Sequence, residues 1–459
     1  MVTASVAPVV AELEQRFHVT WERTDRLFAL VAGDAMLDRP IPLRHPLIFY
    51  VGHLSAFAWN HVCRGVLGGP SLDARLDEIF DRGIDPDVDD PTRCHPHPAV
   101  PDEWPELGEV LAYRDRVRAE ILSSMQDIVI APSTTVMAVN ARALVMALEH
   151  EQMHQETLLY IVQQLPAERK VRPRLPAVYP EWDALRTRPI AIPGGTATLG
   201  ADFGKLDFGW DNEFPSVTVT VPEFVIDSTP VTNAEFLQFV AAGGYGRREH
   251  WDEADWTWKE RTGLRHPTFW TLRDGVWRYR TVLDELRFGT ARDWPVYVSL
   301  AEARVFARWR GGRLLTEAEF HRAAYGTPGG AERSFPWGDE APRPEHGNFH
   351  FAYWSPVPVG SHPAGASAWG VHELVGNGWE WTETAFAPFP GFDPYIPTYP
   401  GYSADFFDGK HYVLKGASWA SDAQLVRRSF RNWYQARYPY VFAKFRCVRL
   451  RRHGSISTA

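Results

Sequence analysis

Three cysteines in 459 residues leave almost nothing from which to build a disulfide framework. Cys63, Cys94 and Cys447 are scattered and share no CxxC spacing, so a thiolate zinc site is not readable either, and a reducing, cytoplasmic setting is expected. No run of about eighteen apolar residues occurs, and the opening MVTASVAPVVAELEQRF has no basic stretch ahead of an apolar one. Neither a membrane span nor an export signal is read. Positive charge is also short: 48 Lys and Arg against 57 Asp and Glu give a net charge of -9, with no basic excess to neutralise phosphates. That argues against nucleic acid as a partner and leaves small molecules.

At roughly 150 residues per domain, the length implies two or three domains. Apolar positions recur at three and four along VAELEQRFHVTWERTDRLFALV, HPLIFYVGHLSAFAWNHVCRGVL (45–67), ELGEVLAYRDRVRAEILSSM (106–125) and a stretch from about 138 to 164. Four such helices predict a bundle over residues 1–168. Residues 81–104, crowded with Pro and Asp, read as one long connection, and 169–188 as a Pro-rich connector. From 189 to 453 the texture changes to short β-like runs such as SVTVTVPEFVI, with helical patterning only in TNAEFLQFVAAGG and SLAEARVFARWRGG. This predicts an irregular α+β domain. It holds most of the 19 tryptophans, which suit a loop-rich core that needs large rigid fillers.

Residues 149–159, EHEQMHQETLL, contain His150-Glu151-Gln152-Met153-His154, a literal H-E-x-x-H. Two histidines four apart lie on one helix face, one turn from each other, and can share an ion. A zinc protease with Glu151 as base is one reading, but no H-x-x-G-x-x-H extension follows, although Glu156 could substitute as a ligand. The other reading takes a third ligand from the second helix, where His53 is flanked by apolar residues. A hydrogen-bonded core histidine and a ligand both fit that position. His45 and His61 compete, but eight residues turn a helix roughly 80° past two full turns, away from the direction of His53. Cys94, His95 and His97 form a further ligand-like group in the long connection. Three neutral imidazoles with open positions suit Fe(II) or Zn(II), and affinity order alone does not choose.

The stretches PVTNAEFLQFVAAGGY, GGRLLTEAEFHRAA, FPWGDE, GVHELVGNGWEWT and VLKGASWASDAQLVRRSFRNWYQARYPYVFAKFRCVR resemble, in order, segments of the formylglycine-generating, C-type-lectin-like fold. That fold's founding chemistry uses a cysteine pair, and Cys447 alone cannot supply one. A DinB-like four-helix bundle with HxxxH on its last helix, joined to this fold, is similar to the ergothioneine sulfoxide synthase family of nonheme iron enzymes. The resemblance implies Fe(II) held by His53, His150 and His154, with O2 as cosubstrate. It further implies attachment of a chalcogen donor to C2 of the imidazole of hercynine, the trimethylammonium form of histidine. On the substrate side it points to Met153, Phe389, Phe392, Asn432 and Trp433.

Four departures from the family pattern concern the donor or proton delivery. A YPG-type tyrosine after WEWT acts as proton donor in the family, whereas FAPFPGF here puts Phe389 at that place. Tyr434 is then the expected proton donor, with Tyr113, Tyr395 and Tyr402 as others. Met153 stands where a glutamine often holds the hercynine ring. EWPELGEVLAY lacks arginines that bind γ-glutamylcysteine, and RNWY replaces RNWD. These differences favour the selenoneine synthase branch, with a selenosugar donor. A sulfoxide synthase using cysteine or γ-glutamylcysteine is the alternative, and a noncatalytic binding protein the remoter one.

Overall fold

The computed structural model describes residues 3–130, 135–173, 179–180 and 182–449, so part of the Pro-rich connector lies outside the described residues. The N-terminal part is helical: α1 (Thr3–Phe28), α2 (Leu47–Ala58), α3 (Leu107–Ile130) and α4 (Arg142–Gln164). α3 buries Val110, Tyr113, Val117, Ile121, Met125 and Ile128, the three-and-four spacing of one apolar stripe. α2 differs, because all its residues are buried, and it packs against both α3 and α4. A helix apolar all round belongs at the centre of its domain, and that is where His53 is carried.

The second helical pattern does not stay α-helical. After Ala58 the chain widens into a π turn, Trp59–Arg64, before a last turn closed by Gly68 in the left-handed region at φ 66°. Such turns insert a residue and rotate the remainder of the helix, a change that 3.6-residue periodicity does not reveal. The turn meets the second domain. A Cβ on Gly65 would lie 2.8 Å from Thr398 Cγ2, and His61 Nδ1 is 2.7 Å from Thr398 Oγ1.

From residue 189 onward the domain is α+β. Its central sheet runs in the order Asn432–Gln435, His411–Ala417, Gly378–Ala385, Ala443–Lys444, antiparallel except for the last pair. A second four-stranded sheet joins Pro189–Ile192, Phe224–Asp227, Val448–Arg449 and Gly312–Arg313. The expectation of two helices here is corrected: Glu253–Thr262 and Glu317–Tyr325 stand beside Asn233–Ala241 and Leu300–Trp309. Glu317–Tyr325 had a legible start in its capping box, Thr316 with Glu319. Glu253–Thr262 shows hardly any apolar stripe, since charges and tryptophans alternate around it. Trp210, Trp270, Trp294, Trp379, Trp381 and Trp419 are fully buried and fill the spaces between the sheets and loops. No helix among the described residues is long and apolar enough to cross a membrane.

The 81–104 connection forms no helix or strand, yet its polar groups are tied to the second domain. Arg82 pairs with Asp405 at 2.6 Å, Lys410 with Asp87, and Arg437 with Asp89, while Val88 N–H donates to Gln435 Oε1 at 2.8 Å. Its firmest pin is His411, whose Nε2 lies 2.9 Å from Asp85 and whose Nδ1 lies 3.0 Å from Asp408. Burial alone would lower the pKa of His411, but the two carboxylates outweigh it and raise the group to about 9. A raised folded pKa contributes stability that is complete below the ordinary histidine value and is lost as pH rises through about 9. Amide exchange in residues 81–104 is therefore expected to quicken between pH 7 and 10 beyond the intrinsic base-catalysed trend. In His411→Asn that excess acceleration should be absent, and an unchanged pH dependence in the variant would refute the pin.

Candidate metal centre

Between α2 and α4 three imidazoles meet. The rings of His53 and His150 are 5.0 Å apart, His53 and His154 5.0 Å, and His150 and His154 4.5 Å. One nitrogen from each lies within 4.8 Å of the others. The pair on α4 converges because four residues make about one helical turn, and the bundle brings His53 opposite. His53 Nδ1 donates to the Phe80 carbonyl oxygen at 2.8 Å, which fixes the ring and leaves Nε2 as the lone-pair atom. His150 lies flat on Phe57, with centroids 3.5 Å apart and planes 5° from parallel.

Burial dominates the electrostatics. It lowers His53 to about 4 and holds His150 and His154 well below the ordinary histidine value, so all three rings are neutral at pH 7. The Nδ1 atoms of His150 and His154 are buried without a hydrogen-bond partner among the described residues. Buried polar atoms are seldom left so. Three neutral imidazoles on two packed helices, with orphaned nitrogens, fit a divalent transition metal that keeps open positions.

The second domain closes over this triad and supplies much of the cavity wall, including Trp379, Tyr399, Tyr402, Phe430, Trp433 and Tyr434. Glu156, two residues beyond His154, is buried in the same wall. It accepts from Trp379 Nε1 at 2.8 and 3.1 Å and from Ser421 Oγ at 3.1 Å, and burial lifts it to about 7. A side chamber opens beside the triad, sharing Asp85, His95 and Phe406 with the main cavity and adding Asp87, Asp408 and Gln435.

Residues 181–451 match the sulfatase-modifying factor enzyme 1-like domain and residues 16–158 the DinB superfamily. The chain is 34% identical to hercynine oxygenase of Mycolicibacterium thermoresistibile, over 97% of this chain and 96% of that protein. With hercynine oxygenase of Mycolicibacterium smegmatis the identity is 33%, over 90% of this chain and 92% of the other. Ergothioneine biosynthesis protein 1 of Neurospora crassa is 30% identical over 94% of this chain, which spans only 56% of that longer protein. The chain belongs to the hercynine oxygenase family. It is an enzyme of the oxidoreductase class.

The cavity of this family member brings together His53, His150, His154, Met153, Asn432, Trp433 and Tyr434 from the residues singled out in the sequence. It does not bring Phe389 or Phe392. Phe389 is buried under the Arg431 guanidinium, 4.2 Å from its ring centre, in the core of the second domain, and Phe392 packs on Phe407. A YPG segment is nevertheless present ten residues further on, as Tyr399-Pro400-Gly401, and Tyr399 lines the cavity. Tyr399 is stacked on His61 at 5.5 Å, with the Arg82 guanidinium 5.0 Å from its ring.

Of the other tyrosines, Tyr402 reaches the cavity, whereas Tyr113 donates to Asp77 at 2.7 Å inside the bundle and Tyr395 donates to the Gly209 carbonyl. His45 packs on Phe49 at 4.3 Å and His61 bonds Thr398, so neither joins the triad. Cys94, His95 and His97 form no ligand cluster among the described residues. Glu151 points away from the cavity into α1, accepting from Thr24 Oγ1 at 2.6 Å.

Proposed function

We propose that this chain is an O2-dependent, iron(II) enzyme that forms a carbon to sulfur bond at C2 of the hercynine imidazole, with cysteine or γ-glutamylcysteine as donor. The observation that carries the reading is the neutral His53, His150, His154 triad under an aromatic wall, in a chain that is similar to hercynine oxygenases along nearly its whole length. Iron bound by these three side chains would supply O2 activation and acidify the donor's thiol. The protein's own part is positioning. The aromatic wall that includes Trp433 and Phe430, with the buried Glu156 carboxylate, suits the trimethylammonium group. Asn432 Oδ1 is taken by the Trp433 N–H at 2.9 Å, which leaves its amide N–H2 for the substrate carboxylate.

Tyr434, Tyr399 and Tyr402 are among the phenols that line the cavity, and the first two are the favoured ones for proton delivery. Burial, with Tyr160 and Glu156 nearby, holds Tyr434 well above the ordinary tyrosine value, so it keeps its proton at pH 7. Burial likewise raises Tyr399. The three cysteines are free, which suits a reducing, cytoplasmic compartment.

A second reading, a selenosugar donor, is favoured by one feature. The side chamber is lined by Asp85, Asp87, Asp405 and Asp408 against Arg93, Lys410 and His411. Such a lining of paired carboxylates and cations offers acceptors and donors for hydroxyl groups. The deciding experiment gives the iron(II)-loaded protein O2 and hercynine with cysteine, γ-glutamylcysteine or a selenosugar in turn, and identifies products by mass. A sulfoxide from a thiol is expected. Product from the selenosugar alone would replace the sulfur reading with the selenium one, and no O2 uptake with any donor would reduce the chain to a binding protein.

A further inference from the structure

Arg82 belongs to the 81–104 connection, yet its side chain reaches into the second domain. Its Nη2 donates to Asp405 Oδ2 at 2.6 Å and lies 3.5 Å from the Gly401 carbonyl oxygen, and its guanidinium carbon is 5.0 Å from the centre of the Tyr399 ring. Only 14% of the side chain is exposed, so its charge is not given over to water. Its Nε is buried without a hydrogen-bond partner among the described residues. Tyr399 lines the cavity and Arg82 does not, so the cation meets the phenol from outside the cavity.

The phenol is held on its other sides as well. His61 stacks on it at 5.5 Å, and the rings of Phe57 and Tyr402 meet it edge-on at 6.0 and 5.5 Å. A phenol walled by aromatic rings is a poor acid, because the phenolate it would leave behind is not solvated. A guanidinium against the ring counters that. Burial raises the pKa of Tyr399 and of Tyr434 alike, but at Tyr399 the next effect is the opposing charge of Arg82, whereas at Tyr434 the next two, from Tyr160 and Glu156, add to burial. We infer that Arg82 is a positioning residue for Tyr399: anchored by Asp405, it holds the phenol against the cavity and stabilises the phenolate that remains once the proton has left Oη. This rests on the hercynine reading above and makes Tyr399, rather than Tyr434, the phenol that delivers the proton. The proton passes from Tyr399 Oη to the reacting centre, and solvent returns one to the phenolate after turnover.

The test measures product formation by the iron(II)-loaded protein with O2, hercynine and whichever of cysteine, γ-glutamylcysteine or a selenosugar the wild type turns over fastest. Arg82→Met should lower kcat about 10- to 100-fold, no more than the loss of a donor to a developing oxyanion. The KM for hercynine should stay within about 2-fold, as for an interaction that matters only in the transition state. Arg82→Lys, which keeps the charge, should recover part of kcat. In the Tyr399→Phe protein, itself slowed, Arg82→Met should cost less than about 2-fold further, because a residue that acts through the phenol has nothing left to act on. Asp405→Asn keeps the arginine and removes its anchor; it should lower kcat by a smaller factor, again only with Tyr399 present, and it is the second probe should Arg82→Met fold poorly. An equal loss from Arg82→Met with and without the Tyr399 hydroxyl, a loss confined to KM, or an unchanged kcat in Tyr399→Phe would overturn the inference alone. Absence of product from the wild type with all three donors would overturn the functional reading and this inference with it.

Discussion

His154→Ala protein should purify folded yet hold less than a tenth of the iron of the wild type, and turnover should fall by far more than the roughly 100-fold known for loss of a partner behind a metal ligand. The reason is geometric. Two imidazoles, His53 and His150, would remain with ring centres 5.0 Å apart, and two neutral ligands on a metal that prefers at least three protein donors leave it exchangeable. His53→Ala should behave alike, and it also frees the Phe80 carbonyl that now fixes the His53 ring. Metal analysis after dialysis, with near-ultraviolet circular dichroism to verify folding, is the measurement. Stoichiometric iron in either variant would remove that histidine from the ligand set.

Glu151→Gln separates this chemistry from peptide hydrolysis. In a zinc protease the H-E-x-x-H glutamate is the general base, and its amide would be inert. Here the carboxylate faces α1, takes the Thr24 hydroxyl proton, and lies outside the cavity wall. Burial keeps its pKa above the ordinary glutamate value, so a neutral amide changes little there. Iron content and turnover within about 3-fold of wild type are the expectation, that being less than the roughly 10²–10⁴-fold contribution of a general base.

Legibility in the sequence tracks the range of the interactions. The pair His150 and His154 could be read because one helix sets its geometry, and His53 because apolar neighbours marked an inward position. Tyr399 was missed for a different reason: FPGF at 389–392 and YPGY at 399–402 are near copies, and the spacing after WEWT favoured the first. Only the tyrosine itself pointed to the second. Which loop reaches the metal depends on His61, Arg82 and Gly65 in the other domain, and no local pattern carries that. The π turn after Ala58 was hidden for the same reason, since its apolar positions also satisfy an α-helix. Glu149, which accepts from Arg427 and Trp210 of the second domain, carries no mark of that in its own helix.

The bond set around Arg427 ties the two domains through buried charge, and Arg427→Met should be strongly destabilising. Arg427 donates to Glu149 at 2.7 and 2.9 Å and to Glu213 at 2.5 and 2.8 Å, and all three side chains are buried or nearly so. Glu149 precedes His150, so this cation also fixes the base of the metal helix against Trp210, whose Nε1 donates to Glu149 at 3.0 Å. The two carboxylates respond differently to one arginine. Burial wins at Glu149 and raises it, while at Glu213 burial is outweighed by Arg427, Ser429 and the Trp210 N–H, and the pKa is lowered. Removing the cation leaves two buried carboxylates unpaired, a loss of about 3–5 kcal/mol, or a Tm lower by roughly 10 °C. Both folded pKa values would then lie above the unfolded glutamate value of about 4.3. A raised carboxylate costs nothing while it stays protonated and destabilises as pH climbs, so the deficit of the variant should be small near pH 5 and grow toward pH 8. Thermal melts of wild type and variant across that range test it. A gap that stays constant with pH would mean that lost packing, rather than stranded charge, is responsible. Arg427→Met combined with Glu149→Gln and Glu213→Gln should recover part of the lost Tm, because the charges that needed the arginine are gone.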